Sequence, residues 1–426
     1  PADFCLVCNK IMLENPHTFL MKTGSNSQFA IVQIRRIKMN FKKLLGFAAA
    51  TAMSLTMLGG CGKTTTDADS GNAEETTAAS EPAEVLTASE LVKGMKIGWS
   101  LGNTLDAQQL KWTKVDDPIQ FETSWGNVQT TQQIIDTVKS AGFNVIRIPI
   151  TWESHVGDAP DYKINEKWMA RVKEVVDYAY GDGTYVIINL HHEEWHFPSE
   201  ENYPAASEKL KAMWIQIAAE FQDYDQHLIF EGLNEPRMKG TGQEWTGGTP
   251  EAREVINKLN ADFVATIRAQ SGNNPDRCLM IPTIAASGDA PALSGFTVPD
   301  DDKVIVSIHA YKPYNFALNI TGTAEFNVDA DKGEIDTIMN NIKTNFLDKG
   351  IPVVIGEYGM MNKNNTEARA AALDYYLSAA KELGVPCVWW DNGAFDGNGE
   401  NFGLLDRSTC TWKYPELMDV FKKYAE

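Results

Sequence analysis

The chain has 426 residues, 43% hydrophobic and 10% aromatic, enough apolar surface for one large domain or two small ones. A formal charge of −19 argues against a nucleic-acid partner, since phosphate contacts need clustered Lys and Arg, and favours a neutral ligand. Eleven tryptophans are many for this length; most Trp belong to cores, but an exposed indole can stack on the C–H face of a sugar.

The cysteines imply no disulfide framework. Cys5 and Cys8 form a lone C-x-x-C without a second pair, too little for a metal or redox site. Cys278 and Cys387 fall in apolar runs as buried thiols and Cys410 in a turn. A Cys387–Cys410 bridge stays open for an oxidising compartment.

Residues 1–38 lack periodicity and read as upstream sequence, with the start expected at Met39. From Met39 a basic pair, Lys42 and Lys43, precedes an apolar run over 44–58 that is too short to span a membrane, and Gly59-Gly60-Cys61 follows. That order predicts a secretory signal over 39–60. Leu58-Gly59-Gly60-Cys61 resembles the lipobox of bacterial lipoproteins, which implies a lipid on Cys61; the alternative is ordinary cleavage near Gly60. Membrane contact is expected only through that lipid, and the location is extracellular or at the cell surface. Residues 61–86, nearly devoid of apolar side chains, predict a flexible tether before a catalytic body over 87–426.

Within the body, buried strands are predicted at 95–101, 143–150, 185–191, 228–234, 278–283, 304–310, 352–357 and 386–391. Helical spacing marks 131–141, 165–180, 206–222, 251–270, 332–348, 366–383 and 414–425, so that only the fifth and sixth strands lack a long helix between them. Eight apolar strands with helical crossovers predict a single-domain α/β (β/α)8 TIM barrel. No glycine-rich loop follows the first strand, which argues against a dinucleotide fold.

A barrel of this kind places its site where the strands end. The polar residues there are Asn103, Arg147, His191, His192, Asn234, Glu235, His309, Tyr311, Glu357 and Trp390. Glu235 and Glu357 each close an apolar run, and burying a carboxylate there costs desolvation free energy. Alone, Glu235 fits a helix N-terminus and Glu357 a structural ion pair; together they suggest the carboxyl pair of glycoside hydrolysis, one protonated and one ionised. The run His191-His192-Glu193-Glu194-Trp195-His196 invites a metal reading, but adjacent histidines on a strand are expected to point to opposite sides and no H-E-x-x-H spacing occurs.

The motifs GWSLGNTLDA (98–107), SWGN (124–127), IRIPITW (146–152), NLHHE (189–193), FEGLNEPR (230–237), SIHAYKPYNFA (307–317), VVIGEYG (353–359) and CVWWDNG (387–393) resemble glycoside hydrolase family 5. The likeness is to its branch of bacterial endo-β-1,4-glucanases, lichenases and xyloglucanases. It covers about residues 90–425 and implies a retaining endo-β-1,4-glucanase with no cofactor and no metal, expected as a monomer acting on β-glucan polysaccharide. Xyloglucan, mixed-linkage glucan, xylan or mannan are the substrate alternatives. A metal-dependent hydrolase and a non-catalytic sugar-binding lipoprotein are the alternatives of a different class.

The resemblance implies that Glu235 is the acid/base and Glu357 the nucleophile. Arg147 and Tyr311 would hold Glu357, Asn234 the sugar 2-hydroxyl, and His191 and His309 would complete the polar shell. Trp390 would be the sugar platform at the cleavage subsite, with Asn103, Trp125 and His192 on neighbouring glucose units. Strand alternation sends only one of Trp389 and Trp390 inward, and the resemblance selects Trp390. Retention requires carboxyl groups about 5 Å apart.

Overall fold

The structure, a computed structural model, describes residues 85–109 and 115–426. The signal segment, Cys5, Cys8, Cys61 and nearly all of the expected tether lie outside the described residues. Eight strands follow one another around a closed barrel: β1 (Ile97–Leu101), β2 (Val145–Ile148), β3 (Tyr185–Asn189), β4 (Leu228–Glu231), β5 (Leu279–Ser287), β6 (Val304–His309), β7 (Val353–Tyr358) and β8 (Cys387–Asp391). Each pairs in parallel with the next, and β8 closes on β1 through registers such as Trp99 with Trp389. The fold is a (β/α)8 TIM barrel.

Helices Gln132–Ser140, Glu166–Ala179, Tyr203–Glu220, Pro250–Arg268, Gly333–Asn345, Thr366–Leu383 and Pro415–Tyr424 form the outer layer. Several start on a side chain that satisfies their first free N–H groups: Thr131 accepts from Ile134, Asn165 from Lys167 and Trp168, and Thr249 from Ala252. Between β5 and β6 there is only the four-residue helix Ala290–Leu293, as the sequence predicts. Several short elements are additions to that reading, among them a first helix and a hairpin that bear on the barrel. The helix Ala88–Gly94 carries a reciprocal Thr87/Glu90 capping box. A short hairpin pairs Leu405–Asp406 with Thr411–Trp412.

Period-two alternation explains how the barrel is both packed and catalytic. Val145, Ile187, Ile229, Ile305, Val354 and Val388 point inward and form one apolar cluster with Ala88, Leu91 and Val92 of the first helix, which closes the lower end. Two residues further along β2, β3, β4, β6 and β8 the inward positions are Arg147, Asn189, Glu231, Ser307 and Trp390. The intervening residues, among them Ile146, Ile188, Phe230, Ile308 and Trp389, pack outward in the core under the helices.

Strand β7 breaks the rule. Val354 and Gly356 face the interior and Tyr358 packs outward, so the parity slips between them, and the β7–β8 register shifts between Ile355 and Tyr358. The β6–β7 ladder shifts at the same level, setting His309 opposite Glu357. This irregularity delivers Glu357 to the barrel mouth. A second one lengthens β5 past its predicted end at 283, where Ala285 and Ala286 take left-handed φ values of 54° and 47°.

Candidate active site

Arg147 organises the mouth of the barrel. Fully buried, it donates from Nε to Glu231 at 2.9 Å, from Nη1 to Glu357 at 2.7 Å and from Nη2 to the Asn234 amide oxygen at 2.7 Å. Burial alone would lower its pKa, but the charges of Glu231 and Glu357 outweigh that and hold the guanidinium protonated. Glu231 also accepts from Asn189 at 2.9 Å and Ser307 at 2.5 Å, which hold its carboxylate in place against Arg147. The other oxygen of Glu357 accepts from the Tyr311 hydroxyl at 2.9 Å. Burial, then the charge of Glu357, pushes the Tyr311 pKa far up, so this phenol stays a donor.

Glu235 lies just beyond β4, its carboxylate 2.8 Å from His309 Nδ1, which is also 3.6 Å from Glu357. Oxygens of Glu235 and Glu357 and the His309 nitrogen all lie within 4.8 Å of one another. Burial raises the Glu235 pKa, but the hydrogen bond and charge of His309, with Arg237 and Arg147 behind them, bring it below the usual value. For His309 burial lowers the pKa and the two glutamates more than reverse it. Each member of the pair thus favours the charged form of the other, the imidazole being pushed up and the carboxyl down from their ordinary values.

Around this pair the remaining predicted residues converge. Trp390 packs with Met361 and Phe402 and stacks on the His191 ring, 5.6 Å between centroids and 6° from parallel, whereas Trp389 is buried outward against Tyr358 and Phe421. His191 is held neutral by burial and by the nearby charges of His192 and Arg147. Its Nδ1 lies 3.2 Å from the Asn189 amide NH2 and must accept there, which leaves Nε2–H as a donor. Burial takes the His192 pKa down to about 4. That ring lies beside Trp125 at 5.5 Å and 4.0 Å from the Asp106 carboxylate. Asn103 has φ 54°, a left-handed conformation fixed by Asp106 accepting from the Asn103 and Thr104 amides at 3.0 and 2.6 Å.

Several of these contributors were absent from the sequence reading. Glu231 carried a usable signal, since it shares inward parity with Ile229 on β4. Asp106, Asp391 and Arg407 carried none. Asp391 accepts from Trp99 Nε1 at 2.8 Å, and Arg407 donates to Gly102 O and Thr104 Oγ1, tying the tops of β1 and β8 to the Leu405–Trp412 hairpin. Glu193, buried and accepting from Trp152 N and Trp195 Nε1, is pushed by burial up to about 7.

Among the described residues two groups bring metal-binding atoms together, Asp106/His191/His192 and Glu235/His309/Glu357. The argument that adjacent histidines diverge does not hold: β3 ends at Asn189, so His191 and His192 lie beyond the pleat and their rings meet at 4.4 Å. His191 Nδ1 is taken by Asn189, and the positive charge a cation would bring to Glu357 is already supplied by Arg147. Beside Glu235 a recess of about 230 Å³ opens, lined by His192, His196, Phe197, Arg237 and Lys239.

One oxygen of Glu235 and one of Glu357 lie within 4.8 Å, the close spacing at which one carboxylate attacks what the other protonates, rather than the wider gap that inverting enzymes leave for sugar and water together. On a (β/α)8 barrel, that geometry defines a retaining-type glycoside hydrolase. Comparison with known proteins gives the family. The model for cellulase (glycosyl hydrolase family 5) matches residues 109–396. Endoglucanase B of Ruminococcus albus is 45% identical over 412 residues, covering 91% of this chain and 98% of that protein. A broad-specificity endoglucanase from Ruminococcus champanellensis with bound cellotriose superposes with a TM-score of 0.78 at 48% identity, covering 79% of this chain and 99% of the other. A xyloglucan-specific endo-β-1,4-glucanase from a metagenomic library, also in complex with cellotriose, gives 0.75 at 44%, covering 79% and 98%. The chain belongs to glycosyl hydrolase family 5.

Proposed function

We propose that this endo-β-1,4-glucanase cleaves internal β-glucosidic bonds by double displacement, with Glu357 as nucleophile and Glu235 as acid/base. The observation that carries the reading is the approach of the two carboxylates within 4.8 Å, with Glu357 held by Arg147 and Tyr311. The Glu357 carboxylate attacks the anomeric carbon as the bond to the departing oxygen breaks. Glu235 in its protonated form gives that oxygen its proton. A glycosyl ester on Glu357 results. Glu235, now ionised, takes a proton from water, and the water attacks the anomeric carbon and frees Glu357 with the configuration retained. The amide oxygen of Asn234 is committed to Arg147, so its NH2 is the group offered to the 2-hydroxyl.

NMR of the first-formed anomer tests this reading: the β anomer is expected, and an α anomer overturns it. Glu357→Gln should abolish turnover while the protein still folds, as read by circular dichroism. A Gln variant with substantial activity removes the nucleophile assignment.

The polysaccharide preference is a cellulose-type glucan in this reading. The likeness to a xyloglucan-specific enzyme supports branched glucan as the second candidate. Relative kcat/KM on carboxymethyl cellulose, mixed-linkage glucan, xyloglucan, xylan and mannan ranks them. We further propose that the protein is displayed outside the cell by a lipid on Cys61, on the strength of the basic, apolar and Leu-Gly-Gly-Cys order. Cys61→Ala should move activity from the detergent phase to the aqueous phase; identical partitioning of the variant dismisses the anchor.

A further inference from the structure

The segment that carries His191 and His192 has neither helix nor strand from residue 190 to residue 199, so side chains must hold it in place. Trp152, on the loop after β2, grips both ends of the turn that bears the two histidines. Its indole Nε1 donates to the Asn189 carbonyl at 2.9 Å, and its backbone N–H donates to the Glu193 carboxylate at 2.7 Å. The second oxygen of Glu193 accepts from Trp195 Nε1 at 2.6 Å, which ties the chain back on itself before it reaches His196 and Phe197 in the recess beside Glu235. Glu193 and Trp152 are both buried.

A carboxylate in this place is costly, because burial opposes its ionisation more strongly than the two hydrogen bonds favour it. The charge of Glu153 adds to that cost, and Lys209, 5.3 Å from the Trp195 ring centroid, reduces it. What glutamate supplies that glutamine does not is a second acceptor oxygen, and here each oxygen is taken by an N–H donor. The turn it anchors presents His191 parallel to Trp390, 5.6 Å between centroids, and His192 beside Trp125 at 5.5 Å. We infer that Glu193 is a positioning residue for the glucanase reaction, fixing the His191–His192 turn so that both rings meet the bound glucan. This rests on the assignment of those two rings to sugar contact.

Glu193→Gln keeps the shape of the side chain and removes one acceptor. It should lower kcat/KM on a soluble β-glucan about tenfold, mainly through KM, because the two histidines bind sugar rather than react. NMR titration of the histidine rings gives a second readout. Burial holds His192 at about 4, and in the variant it should titrate closer to the ordinary value of about 6.5 as the turn opens. Loss of the Glu193 charge alone would move it the other way, so the direction separates a released turn from an electrostatic change. Trp195→Phe removes the indole donor from the other oxygen and should shift both readings in the same direction by less; it carries the test if Glu193→Gln does not fold. An unmoved His192 overturns the inference, and so does a loss confined to kcat with KM at the parental value. A displaced His192 with parental kcat and KM overturns instead the assignment of the two histidines to sugar contact, whereas an inverted anomer from the parent bears on Glu357 and Glu235 alone.

Discussion

At the scale of single residues, catalytic competence comes from sharing charge among groups that cannot all be satisfied at once. Arg147 serves Glu231 and Glu357 together, and His309 faces Glu235 and Glu357. Glu231 touches no sugar in this scheme, yet it fixes the guanidinium that orients the nucleophile. Glu231→Gln should therefore lower kcat about a hundredfold with KM nearly unchanged, as expected when a reacting group is misplaced. The loss of a buried ionic partner should also cost about 3 kcal/mol of stability. Steady-state kinetics and denaturant titration check both; a parental kcat would reduce Glu231 to a packing partner. Both glutamates assigned to catalysis were legible in the sequence, because each ends an apolar run. The pairing of Glu235 with His309 was not, since the two lie 74 residues apart in the chain.

Elements add what residues cannot carry alone. Alternation makes six inward apolar side chains a sealed base and the positions above them a polar mouth, and the periodicity of the strands is written in the sequence. The slip in β7 is not: Val353-Val354-Ile355-Gly356-Glu357-Tyr358 reads as uninterrupted strand. Gly356 is the residue that makes the slip tolerable, because a Cβ there would lie 2.9 Å from Ser307 Oγ and 3.3 Å from His309 Nε2. Gly356→Ala should push His309 off the carboxylate pair, lowering kcat by at least tenfold while destabilising the fold by about 1–3 kcal/mol. Unaltered kcat with full stability would show that the mouth accommodates the methyl group. The extension of β5 escaped prediction for a similar reason, since two consecutive alanines give no hint of left-handed backbone.

For the whole molecule, buried histidines set the response to acid. His155 lies between Phe121 and Trp168, its ring 3.9 Å from the indole, and burial takes its pKa down to about 3. The unfolded chain binds a proton on this residue below about 6.5 and the folded chain does not, so its contribution to stability is intact above that pH and is lost progressively as pH falls toward 3. At pH 4 the deficit is about 3 kcal/mol from this residue alone. His155→Phe should narrow the fall in Tm between pH 7 and pH 4, read by calorimetry; an unchanged fall would assign acid lability elsewhere. His192 and His196, each taken to about 4 by burial, act in the same direction. Asp106, raised by burial to about 6, acts oppositely, losing stability as pH rises from about 4 to 6.

The sequence by itself determined the barrel, the two glutamates and the ring of strand-end residues, because each is encoded locally: apolar runs, helical spacing and a polar residue where a run stops. Only the tertiary structure decided how those residues share charge. The grip of Glu231 on Arg147, the pairing of Glu235 with His309 and the stacking of His191 on Trp390 all join segments far apart in the chain. Their energies depend on distances that exist only after the barrel has closed.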